Sequence, residues 1–232
     1  MDNRLLRQMP LLPETEKLKS KTVAVVGIGG VGGTAAIALS RCGVGRIILL
    51  DHDVFEDTNL NRQAFSFENN LGMKKVSAAK EYLNSISSET EIITLDMFFD
   101  ENNADELFSL KPDYIIDAID TVSSKKALIK KAYKREVPII SSLGTGNRLD
   151  PSLIKKGKIS DTKGTPCPLA RVMRKELFKE GIEDLKVVFS SETPIKISVS
   201  DEGGRHSPAS AVFVPQAAGL TLAYCVVSDL LK

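Results

Sequence analysis

Residues that bind soft metals or form disulfides are scarce in this chain. Its 232 residues include three cysteines, Cys42, Cys167 and Cys225, and two histidines, His52 and His206. The cysteines are widely spaced and odd in number, which argues against a disulfide framework and indicates a reducing compartment. Too few soft ligands stand at usable spacing for a tetrahedral zinc site. Any metal is therefore expected to be a hard ion held by carboxylate and phosphate oxygens, with magnesium as the candidate.

A strong net charge and long apolar runs are also missing. Thirty-one basic residues against thirty acidic ones leave a formal net charge of +1, so no global field attracts nucleic acid or membranes, although a local patch can do so. No apolar run approaches the roughly 20 residues needed to cross a bilayer, and the N-terminus MDNRLLRQMP is charged from its second residue. We expect a cytoplasmic protein with no membrane partner.

From residue 22 to about 142, short apolar runs alternate with amphipathic segments. In order they are TVAVVG, VGGTAAIALSRCG, RIILLD, KKVSAAKEYLNSI, EIITLD, ADELFSL, DYIIDAID, SKKALIKKAYKRE and VPIISS. Near-continuous apolar runs are typical of strands that are covered on both faces. The pattern predicts an α/β fold with a Rossmann-like, doubly wound and mostly parallel sheet.

Beyond GTGNRLDPS the alternation weakens. A basic segment, KKGKISDTKGTPCPLARVMRKELFKEG, leads into KVVFSSE and a glycine-rich turn around Asp201 to Arg205. The chain ends in PQAAGLTLAYCVVSDLLK, which predicts a helix that begins at Pro215 and is apolar on most faces. We expect residues 148–232 to pack against the core as a C-terminal substrate or dimerisation region.

The stretch VAVVGIGGVGG joins the first predicted strand to the first helix. Its glycines are Gly27, Gly29, Gly30, Gly32 and Gly33. A tight turn there lets the backbone approach a phosphate, and the helix N-terminus offers free N–H groups and the positive end of a dipole. The alternative is that these glycines serve only close packing of helix against sheet.

The end of the second predicted strand and the loop after it carry an acid, Asp51, and an arginine, Arg62. RIILLD ends at Asp51, where an acid commonly accepts hydrogen bonds from a ribose, and NAD is the default ligand of such a site. The next motif, NLNRQ, places Arg62 where NAD has no need of a guanidinium. The β- and γ-phosphates of ATP extend past the glycine loop, and a planar guanidinium suits their charge. Asn59, Asn61 and Gln63 orient the arginine or donate to ribose and phosphate.

Further candidate ligands begin the next helix and end the fourth strand. Lys75 in GMKKV stands where an ammonium meets the phosphates, and Lys74 competes for that role. Asp120 and Asp117 come at the carboxyl end of DYIIDAID, the edge where ligands bind in open parallel sheets. Asp120 is the candidate magnesium ligand, and Asp117 the candidate cap of the next helix. Taken singly, each of these residues also fits a solvated surface or a helix cap.

The motifs GxGGxG, DxD, NxxRQ, GxxK and DxxD, in this order, resemble the ATP-dependent adenylating family that includes ubiquitin-activating enzymes and sulfur-carrier adenylyltransferases. The resemblance covers about residues 4–147. It implies ATP and Mg²⁺ ligands at the motif positions: Asp51 for the ribose, Asn59 and Arg62 for phosphates, Lys75 for the transferring phosphate and Asp120 for the metal. RLLRQ resembles the family's RxxRQ, whose second arginine, here Arg7, reaches the partner subunit's ATP site.

Within that family, later segments resemble the tRNA threonylcarbamoyladenosine dehydratases. They are DAIDTVSSKKALI, SSLGTGNRLDPSLI, CPLARVMRKEL, VVFSSETP and FVPQAAGLTLA. The resemblance implies a homodimer that uses ATP to activate the threonyl carboxylate of a modified adenosine in tRNA, beside the anticodon, and then closes a ring. It also implies one domain over residues 1–232, with an ATP-binding core in 1–147 and the C-terminal region in 148–232.

Two alternatives and one departure accompany this interpretation. A sulfur-carrier or ubiquitin-like protein is the alternative partner, although the paired CxxC motifs usual in the sulfur-carrier enzymes are absent. The second alternative is an NAD-binding oxidoreductase or a non-catalytic nucleotide binder. The departure is Cys167, which stands where the dehydratases usually have the aspartate of DPLAR. It is read either as a catalytic thiol or as part of a helix start.

A local cationic run is the only sequence feature that suits tRNA on a chain of near-zero net charge. Residues 151–180 contain eight lysines and arginines against three acids. The run predicts either a track for an RNA backbone or a solvated surface.

Overall fold

The computed structural model describes residues 3–197, 199–200 and 206–232. Seven strands form the main sheet in the order β3-β2-β1-β4-β5-β7-β6. They are β1 (Thr22–Val26), β2 (Arg46–Asp51), β3 (Glu91–Asp96), β4 (Tyr114–Asp117), β5 (Ile139–Ser142), β6 (Ile154–Lys158) and β7 (Lys186–Ser190). All neighbours pair in parallel except β6, which is antiparallel to β7 and forms one edge. The mostly parallel Rossmann-like sheet is confirmed.

Six helices accompany the sheet. They are α1 (Gly30–Cys42), α2 (Lys75–Ile86), α3 (Ala104–Phe108), α4 (Val122–Lys134), α5 (Pro168–Phe178) and α6 (Phe213–Leu230). Alternate residues of β1 supply two separate cores. Val23 and Val25 pack with α1, α2 and α6, whereas Ala24 and Val26 pack with α3, α4 and α5. This double covering explains why the strands are near-continuous apolar runs.

The C-terminal part of the chain adds to the same sheet. Strand β7 lies beside β5, and β6 closes the edge. A short antiparallel pair, β8 (Val199–Ser200) with β9 (His206–Ser207), stands apart from the main sheet, and the glycine-rich turn expected at 201–205 lies outside the described residues. The division of the chain at residue 147 stays a prediction.

Helix α6 begins two residues before the predicted start, at Phe213 instead of Pro215. Proline is tolerated in a first turn because the N–H groups there have no partner within the helix. By length and composition α6 could cross a membrane. Leu222 and Val226 are nevertheless buried in the core, and a Cβ on Gly219 would lie 2.4 Å from the carbonyl oxygen of Val31 in α1. Within this fold α6 is a core helix that lies close against α1.

A fully buried ion pair joins α4 to the centre of the sheet. Lys125 Nζ lies 2.8 Å from Asp117 Oδ2, and both side chains are 0% exposed. The ammonium also donates to Ser141 Oγ at 3.0 Å and to the carbonyl oxygen of Ser142 at 2.9 Å. Every ammonium hydrogen therefore has an acceptor. Asp117 was expected to cap α4, but its carboxylate instead accepts a hydrogen bond from the Lys125 ammonium, which lies within that helix.

We predict that Lys125→Met lowers the free energy of unfolding by about 3 to 5 kcal/mol, because it leaves the Asp117 carboxylate buried and unpaired. Urea denaturation followed by circular dichroism measures the change. The matched control is Lys130→Met on the same helix, where the lysine pairs with Glu180 at the surface. That substitution is expected to cost about 0 to 1 kcal/mol. If both variants lost a similar free energy of unfolding, the buried ion pair would not have the large contribution to stability that we assign to it.

Candidate active site

The glycine loop lies against the loop that follows β4. Gly27 has φ +91°, and a Cβ there would lie 2.7 Å from the carbonyl oxygen of Ala118. Gly32 serves packing, since its Cβ would lie 1.8 Å from the carbonyl oxygen of Gly27. Gly27, Gly29 and Gly30 line a cavity, whereas Gly32 does not. Gly32 therefore fits the packing reading, whereas phosphate binding by Gly27, Gly29 and Gly30 stays a prediction that their place on the cavity wall allows.

A cavity of about 240 Å³ lies at the carboxyl ends of the parallel strands and the N-terminus of α1. This is the edge at which open parallel sheets bind ligands. The predicted ligands that meet there, besides the three glycines, are Asp51, Arg62, Gln63, Lys75 and Asp120. Residues more than 90 positions apart in sequence thus share one small volume.

Asp51 ties the glycine loop to the end of β2. Its Oδ2 accepts a hydrogen bond from the Ile28 N–H at 2.6 Å, and its Oδ1 accepts one from the Asp53 N–H at 2.9 Å. The side chain is 8% exposed and lines the cavity. Each oxygen keeps a further lone pair, which suits acceptance from a ribose hydroxyl.

The structure separates the two competing lysines. Lys75 is buried, lines the cavity, and places Nζ 2.9 Å from Asp53 Oδ2. Lys74 points its ammonium to Asp96 Oδ1 at 3.1 Å and to the carbonyl oxygen of His52 at 3.1 Å, and it does not line the cavity. Lys75 is therefore the lysine that lines the cavity, and its contact with a bound phosphate stays a prediction.

Arg62 is held by its own loop and keeps donors free. Its Nη1 donates to the carbonyl oxygen of Thr58 at 2.8 Å and to Asn61 Oδ1 at 2.9 Å. Burial lowers the pKa of Arg62 from its ordinary value, but a guanidinium stays protonated at neutral pH. Gln63 lies beside it with a buried Oε1 that has no partner in the described part of the chain. Both side chains therefore offer polar atoms to a ligand.

Asp120 lies on the loop after β4 with an exposed carboxylate. Thr121 Oγ1 donates to its Oδ1 at 3.2 Å, and no lysine or arginine among the described residues forms an ion pair with it. A free carboxylate beside a phosphate cavity fits a hard divalent ion that keeps phosphate and water ligands. Ligand atoms of Asp51, His52 and Asp53 also lie within 4.8 Å of one another. The donors present therefore fit Mg²⁺.

Besides Gly32, two further predicted residues, Asn59 and Arg7, do not line this cavity. The Asn59 side chain caps a 3-10 turn, Asp57–Asn59, where its Oδ1 accepts from the Glu56 N–H at 3.3 Å. Arg7 is exposed in an N-terminal segment that packs at the far end of α1, where Gln8 Nε2 donates to the carbonyl oxygen of Cys42. A helix of this length is about 20 Å long. Any role of Arg7 in a partner's site stays a prediction.

An aromatic side of the cavity was not predicted from the sequence. Met97, Phe98 and Phe99 line it directly after β3. Phe98 is 45% exposed, and its ring stands edge-on to His52 with centroids 5.0 Å apart. An exposed phenylalanine at this place offers a flat face for a base. The sequence could have indicated this role, because Phe98 follows the end of a predicted strand, where ligands bind in parallel sheets.

A second cavity, of about 700 Å³, adjoins the first. The two share Val31, Arg62 and the loop 118–121. The other walls come from residues 144–148 after β5, from the start of α5 and from the chain before α6. Asn61 Nδ2 fastens that last segment by donating to the carbonyl oxygen of Ser210 at 2.9 Å. A molecule in the second cavity would therefore lie beside the nucleotide cavity.

Cys167 lines the second cavity as the N-cap of α5. Its Sγ accepts from the Ala170 N–H at 3.4 Å, Pro168 follows as the first helical residue, and the side chain is 1% exposed. The helix start read from CPLAR is confirmed. A buried thiol engaged with a helix N-terminus has a structural explanation that needs no catalytic role.

A Rossmann-like sheet whose glycine loop, strand-end acids and cationic groups meet at one cavity defines the class of nucleotide-binding α/β proteins. The ThiF family model matches residues 3–181. The chain belongs to the ThiF family. It is 43% identical, over 94% of this chain and 89% of the relative, to the tRNA threonylcarbamoyladenosine dehydratase of Bacillus subtilis. The resemblance inferred from the sequence motifs is confirmed.

A solved structure and an adenylyltransferase are also similar to this chain. The E. coli tRNA N6-threonylcarbamoyladenosine dehydratase, solved in complex with ATP, matches with a TM-score of 0.89 at 28% identity, over 98% of this chain and 93% of that one. The adenylyltransferase and sulfurtransferase MOCS3 of Aedes aegypti is 35% identical over 152 residues, which are 65% of this chain and 33% of that protein.

We predict that Lys75→Met weakens ATP binding about ten- to a hundred-fold, because a charge-assisted hydrogen bond contributes about 1.5 to 3 kcal/mol. Lys74→Met is the matched control and should leave the ATP dissociation constant within about twofold. Isothermal titration calorimetry measures both values. If Lys74→Met lost as much affinity as Lys75→Met, the assignment of the phosphate lysine would be wrong.

Proposed function

We propose that this protein is an ATP-dependent enzyme that dehydrates and cyclises N6-threonylcarbamoyladenosine in tRNA, next to the anticodon. The observation that carries the proposal is the 43% identity to a named dehydratase along 94% of the chain. The site supports it, because a nucleotide cavity adjoins a larger cavity that can take an acyl group.

The chemistry explains why two adjoining cavities are needed. A carboxylate is a poor acyl donor, since its leaving oxygen would carry a full charge. In the first step an oxygen of the threonyl carboxylate bonds to the α-phosphorus of ATP, and the bond from that phosphorus to pyrophosphate breaks. The product is an acyl adenylate, whose AMP is a good leaving group. Holding carboxylate and α-phosphate side by side removes much of the entropic barrier.

The named residues stabilise the charge that develops in this step. The Arg62 guanidinium, the Lys75 ammonium and the N–H groups of the glycine loop face the cavity in which the phosphates are placed. Asp51 accepts from the ribose, and Gln63 supplies a further polar contact. Mg²⁺, held by Asp120 and phosphate oxygens, would neutralise phosphate charge as a Lewis acid.

The second step needs no protein nucleophile. The carbamoyl nitrogen and the activated acyl carbon belong to the same substrate, so the nitrogen attacks that carbon, AMP leaves with the bonding electrons and the nitrogen loses a proton to solvent. Ring closure is intramolecular, and proximity supplies much of the acceleration. Cys167 is accordingly assigned to capping α5 and not to a thioester.

The remaining parts of the proposal concern the whole assembly. We propose a cytoplasmic homodimer in which Arg7 enters the partner's nucleotide site, because Arg7 is exposed and lies away from the cavity of its own chain. The proposed single domain has its ATP-binding core in residues 1–147 and its substrate or dimerisation region in 148–232. The second cavity draws walls from both parts.

One alternative has a specific observation in its favour. The likeness to an adenylyltransferase and sulfurtransferase suggests activation of the C-terminus of a small carrier or ubiquitin-like protein, with a sulfur-relay protein as a possible partner. The same first step would apply. An NAD-dependent oxidoreductase is less well supported, because it gives no role to a guanidinium and a buried ammonium at the phosphate end of the cavity.

ATP–pyrophosphate exchange tests the proposal. Labelled pyrophosphate should enter ATP only when tRNA that carries threonylcarbamoyladenosine is added, and mass spectrometry of the nucleoside should show the loss of one water. Unmodified tRNA is the matched control. Exchange that responds to a carrier protein and not to the modified tRNA would favour the alternative, and no exchange with either substrate would exclude adenylation.

In the same assay we predict that Arg62→Ala lowers the exchange rate about a hundred- to a thousand-fold, since one charged contact to a transition state contributes about 3 to 4 kcal/mol. Its thermal stability should change little, because the side chain bonds only to its own loop. Arg41→Ala, an exposed arginine near the end of α1, is the control. Turnover of Arg62→Ala within a few-fold of the parent would remove the proposed role.

The basic segment 151–180 keeps its excess charge in the folded protein. Its acids Glu176 and Glu180 are occupied by ion pairs with Lys126, Lys130 and Lys179. Three exposed lysines on the edge strand β6, which we name the edge lysines, form no ion pair among the described residues. They are Lys155, Lys156 and Lys158. A cationic edge of this kind suits an RNA backbone.

We predict that replacing all three edge lysines with glutamate weakens tRNA binding and flattens its dependence on salt, because fewer counterions are released. ATP affinity should stay unchanged, since none of the three lines the nucleotide cavity. Filter binding at several salt concentrations measures both effects.

The matched control reverses three exposed lysines elsewhere, Lys80, Lys111 and Lys134, and so changes the net charge equally. Equal losses of tRNA affinity in the two triple variants would mean that only overall charge matters. Unchanged affinity in the edge variant would place the tRNA track on another surface.

A further inference from the structure

A buried arginine in the second cavity has no role in the mechanism so far. Arg148, from GTGNRLDPS, is 4% exposed. Its Nη1 donates to the carbonyl oxygen of Gly146 at 2.9 Å, and its Nε donates to that of Glu192 at 3.3 Å. Its Nη2 is buried and has no hydrogen-bond partner in the described part of the chain. The guanidinium is therefore anchored by two nitrogens and has a third donor group left over.

The charge of Arg148 is also uncompensated. No carboxylate of the described residues forms an ion pair with it. Asp150, two residues further along the loop, uses its Oδ1 to accept from the N–H and the hydroxyl of Ser152. Glu192 uses its carboxylate to accept from the backbone N–H groups of Leu149 and Asp150. Burying a cation without an anion is costly, and buried guanidinium groups are normally paired. An anion that enters the cavity would supply the missing partner.

The surroundings leave room for such an anion. Arg148 and Cys167 both line the second cavity. A Cβ on Gly144 would lie 2.6 Å from Cys167 Sγ and 3.4 Å from Arg148 Nη1. Gly144 therefore allows Cys167 and Arg148 to pack closely beside it, and the cavity of about 700 Å³ that all three line supplies the room for an anion. Arg62 and the loop 118–121 connect this cavity to the nucleotide cavity.

We propose that Arg148 is the residue that recognises the carboxylate of the acyl substrate, in the second cavity. The inference rests on the proposed carboxylate adenylation, and it identifies the site that binds the carboxylate before AMP is transferred to it. The free Nη2–H groups donate to one carboxylate oxygen, which leaves the other oxygen to approach the α-phosphate of ATP. The contact also gives specificity, because an ester or amide of the same acid carries no charge for the guanidinium to neutralise.

Binding of a small probe tests the assignment apart from catalysis. The probe is N-carbamoyl-L-threonine, compared with its methyl ester by ligand-observed NMR on the full chain without ATP. The parent should bind the acid about tenfold or more tightly than the ester, and Arg148→Gln should remove that preference while ATP affinity stays within about twofold. A parent without preference for the acid, or a variant that keeps it, would overturn the proposal.

A second variant keeps the positive charge of Arg148. Arg148→Lys should retain part of the preference for the acid over the ester, because an ammonium still attracts a carboxylate but lacks the planar fork of donors. Cys167→Ser, in the same cavity, is the uncharged control and should bind the acid within about twofold of the parent. A loss of preference in Cys167→Ser as complete as in Arg148→Gln would count against the site.

Two further arms separate this inference from the proposed function. If modified tRNA triggers pyrophosphate exchange but Arg148→Gln leaves its KM unchanged, the carboxylate assignment fails and the proposed function stands. If modified tRNA triggers nothing, while a peptide ending in Gly-Gly binds in an Arg148-dependent way, the carboxylate site stands and the tRNA substrate fails.

Discussion

The buried carboxylate of Asp117 holds together the edge of the sheet on which the site is built. Its Oδ2 accepts from Lys125 Nζ and from Ser141 Oγ at 2.6 Å, and its Oδ1 accepts from the Ile119 N–H at 3.2 Å. One side chain thus joins β4, β5, α4 and the loop 118–121. That loop supplies Asp120, lines both cavities and lies against Gly27. The distance between the glycine loop and Asp120 therefore depends on a charge that water does not reach.

The common wall of the two cavities accounts for the kind of reaction that the site suits. A nucleotide and a second substrate that occupy adjoining volumes meet at Arg62, whose guanidinium is steadied by Thr58 and Asn61. The groups that would stabilise charge are positioned before any ligand arrives, because Arg62 is held by the Thr58 carbonyl and by Asn61, and Lys75 by Asp53. Such preorganisation lowers the barrier without reorganisation during the reaction.

The sequence predicted the strand and helix order, the glycine loop and the cavity positions of Asp51 and Lys75, because these features follow from local periodicity and from where parallel strands end. The phosphate role of Asn59 stays a prediction, since its Oδ1 caps a turn and the residue does not line the cavity. The sequence misjudged Asp117, whose carboxylate pairs with Lys125 and does not cap the next helix. It gave no sign of Arg148. Asp117 is defined by a partner 8 positions away, and Arg148 by one 44 positions away and by a donor left without a partner among the described residues. No local pattern encodes such relations.

The edge lysines also affect whether strand β6 can pair with a strand of another molecule. An outer strand exposes unpaired N–H and C=O groups and invites another sheet to add to it. Here that strand carries three ammonium groups within five residues, one of them 4.3 Å from the Tyr224 ring centroid. Two copies brought edge to edge would repel each other, so the sheet ends at β6. The chain's resistance to edge-to-edge aggregation and its capacity to attract a polyanion would then rest on the same three charges.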